Sequence, residues 1–395
     1  MAGLYLHIPF CASRCIYCGF YSTTGLNLQE DYVRAVLQEL DNRTYKDSGL
    51  FPCSRHRSGG TLTENERFST IYFGGGTPSS LGTPLLDNLV NGIRERTDTS
   101  CVEEWTMECN PDDITPELAE WIGRSPINRV SMGAQTFSDE RLRWLCRRHT
   151  SRQVEEAVTL LRKNGIDNIS IDLMFGFPSE TLAEWERDID AAVALRPEHI
   201  SAYSLMYEED TPLFRMLEQG KVTEIDEELS RKMYETLVRR LKENGYMHYE
   251  ISNFCLPSRL SRHNSSYWNQ VPYLGLGAAA HSYNGRRRWW NVSDVKQYLR
   301  LIHDEVPTEN GIGGDCEDID STMRYNDIIT TALRTSGGIP LDCLPDEQRE
   351  YLLLQSERHL NNGTLAMDDG RLHLTESGIF VSDDIMSDLI LISTY

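Results

Sequence analysis

Residues 11–18 read CASRCIYC and place Cys11, Cys15 and Cys18 in one short segment, directly after the apolar run LYLHIP. Three thiolates at this spacing favour zinc or an iron–sulfur cluster, because soft sulfur ligands bind these metals. A structural zinc site needs four ligands, and the nearby His7 is a candidate for the fourth. His7 lies within the apolar run, however, which is predicted to be a strand. A [4Fe–4S] cluster held by three cysteines leaves one iron open to a small molecule, and the motifs described below favour this interpretation.

Composition excludes several classes of protein. The sequence has 395 residues and a formal net charge of −21 at pH 7, which argues against general nucleic-acid binding. No apolar run reaches the roughly 18 residues of a membrane span, and the first residues show no secretory signal. We therefore expect a soluble, cytoplasmic protein whose thiols stay reduced. The other cysteines are scattered singly and are predicted to be ordinary buried side chains: Cys53, Cys101, Cys109, Cys146, Cys255, Cys316 and Cys343.

The first 205 residues alternate short apolar runs with segments of helical spacing. In one such segment, the apolar residues from Val154 to Leu161 are followed by Asn164-Gly165, where a helix is predicted to end. This alternation predicts an α/β fold with a parallel sheet and right-handed crossovers. Six units are too few to close an eight-stranded barrel comfortably, so a partial (β/α)6 barrel is predicted. The predicted strands are 4–9, 70–73, 104–109, 129–133, 169–174 and 199–205.

Residues typical of binding sites stand where the predicted strands end. The cysteine segment follows the first strand, and functional groups are expected at the C-terminal ends of parallel strands. The next four strands end in glycine, proline, asparagine or carboxylate residues. These motifs are GGGTPSS (74–80), ECNPDD (108–113), GAQTF (133–137) and FGFP (175–178). The architecture and the motifs therefore predict one site at one edge of the sheet.

The chain beyond this barrel divides into two further predicted regions. A polar loop at 46–67 interrupts the barrel, and no function is assigned to it. Residues 206–315 form a middle region that contains a predicted helix near 227–244 and the motif HNSSYW at 263–268. We accordingly predict domains at 1–205, 206–315 and 316–395.

Residues 316–395 are predicted to form a winged-helix-like α+β module. Helices are expected within 325–335 and 346–360, followed by a hairpin at 364–375 that turns at Asp369-Gly370, and by a last helix. The module contains no basic helix. We therefore favour a lid or an interaction domain over DNA binding.

The segment LYLHIPFCASRCIYC resembles the start of the radical S-adenosylmethionine (SAM) enzymes, in which the amino and carboxylate groups of SAM chelate the open iron. GGGTP resembles the glycine motif of the same superfamily, where the missing Cβ lets the backbone approach a ligand. The resemblance narrows to the branch of oxygen-independent coproporphyrinogen III oxidases (HemN type) and related heme chaperones (HemW type). It covers nearly the whole chain through HIPFC, FGGGTPSSL, ECNPDD, SMGAQTFSDERL, IDLMFGFP, HNSSYWN and the ending LRTSGGIPL…GRLHLTESG.

The resemblance implies a ligand set for each cofactor. Cys11, Cys15 and Cys18 take the positions that hold the [4Fe–4S] cluster. Carboxylates and a guanidinium in the set suit the ammonium, hydroxyl and carboxylate groups of SAM. Taken singly, each residue is better explained by a structural role, but their shared order favours a site. The SAM-contacting positions are Tyr5, Tyr17, Gly75, Gly76, Thr77, Glu108, Gln135, Arg147 and Asp172.

Two features separate the chaperone from the oxidase within this branch. The oxidase motif resembles CxxxCxxCxC, whereas this chain has Phe20 in place of the additional cysteine. Gly19 departs from the aspartate that is usual in the chaperones. HNSSYW resembles a chaperone motif associated with heme binding, which makes His263 a candidate heme ligand. His281 is a second candidate, and the basic turn at 286–288 is either a propionate partner or a solvated turn.

The sequence therefore predicts a radical SAM-type heme chaperone that binds heme, a [4Fe–4S] cluster and SAM and transfers heme to an acceptor protein. The alternative is an oxygen-independent coproporphyrinogen III oxidase, which decarboxylates two propionates by radical chemistry; Phe20 argues against that activity. A flavodoxin- or ferredoxin-type reductant is a further candidate partner. A homodimer is left open, and a nucleic-acid-modifying enzyme is disfavoured by the acidic charge.

Overall fold

A computed structural model describes residues 2–46, 67–304 and 311–392 of the chain. The polar loop predicted at 46–67 lies, except for its two end residues, outside the described part.

Six parallel strands form the centre of the structure, and neighbours in the sheet are also neighbours along the chain. All six predicted strands are confirmed, with ends that shift by a few residues. Successive side chains of a strand point to opposite faces, so each strand has one face toward the helices and one toward the barrel interior. The strands are β1 (Ala2–Ile8), β2 (Phe68–Gly75), β3 (Glu104–Cys109), β4 (Arg129–Gln135), β5 (Ile169–Phe175) and β6 (His199–Ser204).

Helices cover the outer face of these strands, as the alternating pattern predicts. The helix at 151–163 begins with a capping box formed by Thr150 and Gln153, and it buries its apolar stripe from Val154 to Leu161. It ends before Gly165, which has a φ of 87°. No helix in the described ranges is long and apolar enough to cross a bilayer. The helices between the strands are α1 (Gln29–Lys46), α2 (Gly82–Arg96), α3 (Pro116–Arg124), α4 (Asp139–Trp144), α5 (Ser151–Lys163) and α6 (Leu182–Ala194).

The middle part of the chain extends the same sheet at both edges and shares its core. At one edge β9 (Tyr273–Leu276) pairs parallel to β1, and β10 (His281–Tyr283), β11 (Arg287–Trp290) and β12 (Cys316–Asp318) follow it. At the other edge β8 and β7 pair antiparallel beyond β6. No pairing joins the two outer strands in the described residues, so the barrel is open, as predicted. The remaining elements of this part are α7 (Pro212–Glu218), α8 (Glu227–Glu243), β7 (Met247–Glu250), β8 (Asn253–Cys255), α9 (Arg262–Trp268) and α10 (Val295–His303).

The C-terminal residues form a second, smaller core around a three-stranded sheet. The predicted hairpin is confirmed, and its turn residues Asp369 and Gly370 have φ values of 48° and 72°, as a two-residue hairpin loop requires. This arrangement agrees with a winged-helix-like module. Its elements are α11 (Ser321–Ala332), β13 (Ile339–Pro340), α12 (Asp346–Asn361), β14 (Leu365–Asp368), β15 (Arg371–Leu374), α13 (Glu376–Ile379) and α14 (Ser382–Leu389).

Candidate functional site

The barrel interior encloses a cavity of about 810 Å³, which extends from the cysteine segment to helix α9. Its volume lies within the range of ~300–1,000 Å³ that is common for ligand pockets. The alternating strand pattern selects the lining: along β4, for example, Arg129, Ser131, Gly133 and Gln135 all face inward. The structure brings all nine predicted SAM-contacting residues to this cavity: Tyr5, Tyr17, Gly75, Gly76, Thr77, Glu108, Gln135, Arg147 and Asp172.

The three cysteines lie beside this cavity and line a smaller one of about 60 Å³. Cys11, Cys15 and Cys18 are all partly exposed and reduced. The Cys11 Sγ lies 3.4 Å from the Thr77 hydroxyl, and the Arg147 Nη1 lies 3.7 Å from the Cys15 Sγ. Two of the thiols therefore contact residues that are predicted to bind SAM. A cluster that binds SAM through its open iron would require this proximity.

The donor set fits a cluster better than a zinc ion. In the described part of the chain, no three His, Cys, Asp or Glu side chains are placed to hold a single metal ion. Sulfurs that bind different irons of one cluster need not converge on a point. The zinc ligand considered above, His7, has other partners: its Nδ1 is 3.1 Å from the Tyr5 hydroxyl and its Nε2 is 3.1 Å from the Tyr21 carbonyl. The residues therefore suit a three-cysteine [4Fe–4S] cluster.

Glycines and a residue with positive φ leave space in this part of the cavity. Gly75 has a φ of 107°, and a Cβ there would lie 2.6 Å from the His7 ring. A Cβ on Gly133 would lie 2.5 Å from the Gln135 amide nitrogen and 3.1 Å from the Arg147 Nη2. Gln135 itself has a φ of 67° at a bulge between β4 and β5, a conformation that non-glycine residues rarely adopt. The buried Arg147 Nε has no partner among the described residues, which leaves a donor for a ligand.

Glu108 is a half-buried carboxylate on the cavity wall. It accepts hydrogen bonds from the Tyr72 hydroxyl at 2.7 Å and from the Gly75 backbone N–H at 3.1 Å. Burial raises the pKa of Glu108 to about 7, although the hydrogen bond from Tyr72 opposes the shift. A positively charged ligand group would stabilise the ionised form.

Asp172 is the second half-buried carboxylate of the cavity and lies on β5. Burial raises the pKa of Asp172 to about 6, against hydrogen bonding from Ser201 and the charge of Arg129. The Ser131 hydroxyl is 3.4 Å from its Oδ1. Two carboxylates with raised pKa values in one cavity are typical of a functional site.

His263 lies at the opposite end of the cavity from the cysteines and is fully buried. The Glu104 carboxylate accepts the backbone N–H groups of Arg262 and His263, both at 2.9 Å, and so fixes the start of α9. The ring nitrogens also have partners: Nδ1 is 2.8 Å from the Thr70 hydroxyl, and Nε2 is 2.9 Å from the Tyr267 hydroxyl. Burial lowers the pKa of His263 to about 3, so the imidazole is neutral.

The other heme candidates lie away from this cavity. His281 is exposed on β10, where its ring stacks on Trp290. Arg287 is 2.7 Å from Asp318, and Arg288 is bonded to an aspartate of α11. These contacts favour the interpretation of 286–288 as a solvated turn.

The cavity mouth carries an apolar rim that the sequence did not reveal. Phe20 is 72% exposed, and Met206 is 63% exposed, and both line the mouth. A Cβ on Gly19 would lie 3.2 Å from the Glu208 Cγ. An aspartate at position 19 would therefore face a like charge, which gives a physical reason for glycine here.

Sequence reasoning also missed Arg129, a 1% exposed cation that lines the cavity. The alternation of side chains in a strand could have identified it. In RVSMGAQ (129–135), Arg129 is on the same face as Gly133 and Gln135. The run was interpreted only as an apolar strand.

Known proteins resemble this chain in sequence and in fold. The model of the Radical SAM superfamily matches residues 5–192. The heme chaperone HemW of Lactococcus lactis subsp. lactis is 32% identical over 393 residues, which cover 98% of this chain and 97% of that protein. The heme chaperone HemW of Bacillus subtilis is 36% identical over 305 residues, which cover 76% of each chain. The structure of coproporphyrinogen III oxidase (HemN) from Escherichia coli superposes with a TM-score of 0.80 at 20% identity and covers 98% of this chain and 90% of that one, which shows a shared fold.

Proposed function

The chain belongs to the heme chaperone HemW family of radical SAM proteins, and we propose that it binds heme, a [4Fe–4S] cluster and SAM and passes the heme to an acceptor protein. Family membership rests on relatives that match almost the full length of the chain. The name of those relatives supports heme as the ligand, and the superfamily supports the cluster and SAM. A flavodoxin- or ferredoxin-type reductant and a homodimer are further parts of the proposal.

The proposed cofactor site joins the cysteine segment to the cavity. Cys11, Cys15 and Cys18 would hold the cluster, whose open iron would supply a coordination site for SAM. Glu108 would accept a hydrogen bond from the SAM amino group, and Arg147 would use its unpartnered Nε toward an anionic group. Their burial would exclude water and strengthen both contacts.

Phe20 is the residue that favours a chaperone over an oxidase. It stands where the oxidase-type motif has a cysteine, and its phenyl ring lies exposed at the cavity mouth. A phenyl ring can neither ligate iron nor take part in thiol chemistry, but it can pack against the flat apolar face of a porphyrin. The fold shared with the oxidase does not decide between the two, because folds carry many functions.

His263 remains the proposed heme ligand, and binding of iron would require a change in its hydrogen bonds. Both ring nitrogens are hydrogen-bonded, so coordination of iron by Nε2 requires loss of the contact with Tyr267. The Tyr267 side chain would therefore move when heme binds. Helix α9 itself is held at its start by the Glu104 carboxylate and by the Ser261 hydroxyl, which accepts the Asn264 N–H.

An anaerobic heme titration of the cluster-reconstituted protein tests this proposal. We expect saturable one-to-one binding, followed by the Soret band, and transfer to an added heme-free acceptor faster than heme dissociates into buffer. Loose, superstoichiometric binding would contradict the proposal. Decarboxylation of coproporphyrinogen III with consumption of SAM, measured in the same preparation, would establish the oxidase alternative instead.

A further inference from the structure

Arg129 is a buried cation without the partners that such a group normally has. It is the first residue of β4, and its side chain lines the far end of the cavity. Its Nε and Nη1 atoms have no hydrogen-bond partner within the described ranges. Burial of an unpaired charge is costly, so an orphaned guanidinium inside a cavity calls for a physical explanation.

Thr106 provides a second orphaned group at the same place. It is paired with Arg129 across β3 and β4, and paired residues of neighbouring strands point to the same side of a sheet. Thr106 is fully buried, and its Oγ1 also lacks a hydrogen-bond partner in the described part of the chain. Thr106 is therefore the neighbour of Arg129 on the inner side of the sheet, although only Arg129 lines the cavity.

The neighbours of Arg129 leave its donors available. Glu108 and Asp172 lie close enough for its charge to act on their pKa values, but each carboxylate is hydrogen-bonded to other side chains. His199 and His263 are also near. Burial, and then the charge of Arg129, lower the pKa of both imidazoles, so they are neutral and offer no counter-charge. An anion from outside the chain would satisfy the cation.

We propose that Arg129 forms a subsite for the carboxylate of a ligand that occupies the barrel cavity. A guanidinium can bind a carboxylate through two parallel N–H donors. The carboxylate would be a propionate of a tetrapyrrole, an assignment that rests on the proposed function. The carboxylate of SAM is expected at the open iron beside the cysteines, at the other end of the cavity.

The exposed arginines favour this assignment over a surface site. Arg287 and Arg288 already hold acidic partners on β12 and α11. A propionate at the surface turn would have to displace these partners. At Arg129 it would accept hydrogen bonds from nitrogen atoms that have no partner in the described residues.

Matched probes and variants test the subsite in the cluster-reconstituted full chain. We would measure the affinities of heme, heme dimethyl ester and SAM for the wild type, Arg129→Met and Thr106→Val. If a propionate binds, Arg129→Met weakens heme by about tenfold or more and leaves the ester unchanged. Thr106→Val is the matched control, because Thr106 is paired with Arg129 in the sheet but does not line the cavity, and it should leave both affinities unchanged. SAM should bind all three proteins equally, because its carboxylate is expected at the open iron.

The opposite outcomes are equally definite. An unchanged heme affinity in Arg129→Met would overturn the subsite, as would equal weakening of heme and its ester. Urea unfolding of the ligand-free chain separates binding from structure: an unpaired cation predicts a midpoint for Arg129→Met at or above the wild type, and a large fall would assign Arg129 a structural role. If Arg129→Met does not fold, Arg129→Lys keeps the charge without the fork and should still weaken the carboxylate ligand. Failure of heme transfer to an acceptor would overturn the proposed function without affecting these binding results.

Discussion

The Nε2 atom of His263 lies 2.9 Å from the hydroxyl of Tyr267, four residues further along the same short helix. If His263 binds heme iron through Nε2, this hydrogen bond competes with coordination. Replacement of Tyr267 by Phe should therefore strengthen heme binding by about two- to tenfold, since one hydrogen bond contributes about 0.5–1.5 kcal/mol. The Soret titration of the variant against the wild type measures this difference.

His263→Ala is the matched control for this experiment, because it removes the iron ligand itself. It should weaken heme binding and abolish the effect of the Tyr267 substitution in the double variant. Heme affinity that is equal in the wild type and His263→Ala would place the heme elsewhere.

Cys146 tests whether the cluster has three or four protein ligands. The prediction of a buried side chain is wrong for Cys146, which is exposed and lines the small cavity together with the three cysteines of the segment. Because SAM is proposed to complete the open iron, Cys146→Ala should retain the full iron and sulfide content and the cluster absorbance. Cys15→Ala should lose most of both. Loss of the cluster in Cys146→Ala would identify a fourth thiolate and contradict an iron that is open to SAM.

The parallel strands and the assembly of the SAM-type residues could be predicted from the sequence for one physical reason. Short apolar runs identify buried parallel strands, and the C-terminal ends of such strands meet at one edge. Glu108 and Asp172, separated by many residues in the sequence, therefore had to approach each other. Their raised pKa values could not be predicted, because burial depends on the packing of the whole barrel.

The far end of the cavity was less predictable. The pairing of β9 with β1 joins residues that are distant in the sequence, and local patterns carry no information on that register. The helical spacing of His263 and Tyr267 could indicate their contact, but the burial of His263 depends on Glu104, which belongs to another strand. The inward direction of Arg129 likewise follows from the sheet and not from the apolar run around it.

SAM affinity should depend on pH through Glu108. Burial raises the pKa of this carboxyl to about 7, and its ionised form is the stronger hydrogen-bond acceptor for the SAM amino group. The affinity for SAM should therefore increase by about tenfold from pH 6 to pH 8 and level off above that, because the carboxyl loses its proton in this range. Calorimetric titrations at several pH values measure the change.

Glu108→Gln provides the control for this pH dependence. The variant should bind SAM more weakly and lose the increase between pH 7 and pH 8. Asp172, whose pKa is raised to about 6, can contribute only at lower pH. A wild-type affinity that is constant from pH 6 to pH 8 would show that Glu108 does not pair with the ligand as an anion.

The apolar rim should contribute to heme binding without contributing to stability. Phe20 and Met206 are 72% and 63% exposed, so truncation to alanine should change the free energy of unfolding by less than about 0.5 kcal/mol. If a porphyrin face packs against the rim, Phe20→Ala should weaken heme binding by several-fold, because an aromatic contact contributes about 0.5–1.5 kcal/mol. Leu354 on α12 is a matched control, since it is 62% exposed and does not line the cavity. Equal heme affinities for Phe20→Ala and Leu354→Ala would exclude the rim from the heme site, whereas a selective loss would show that bound heme contacts the rim.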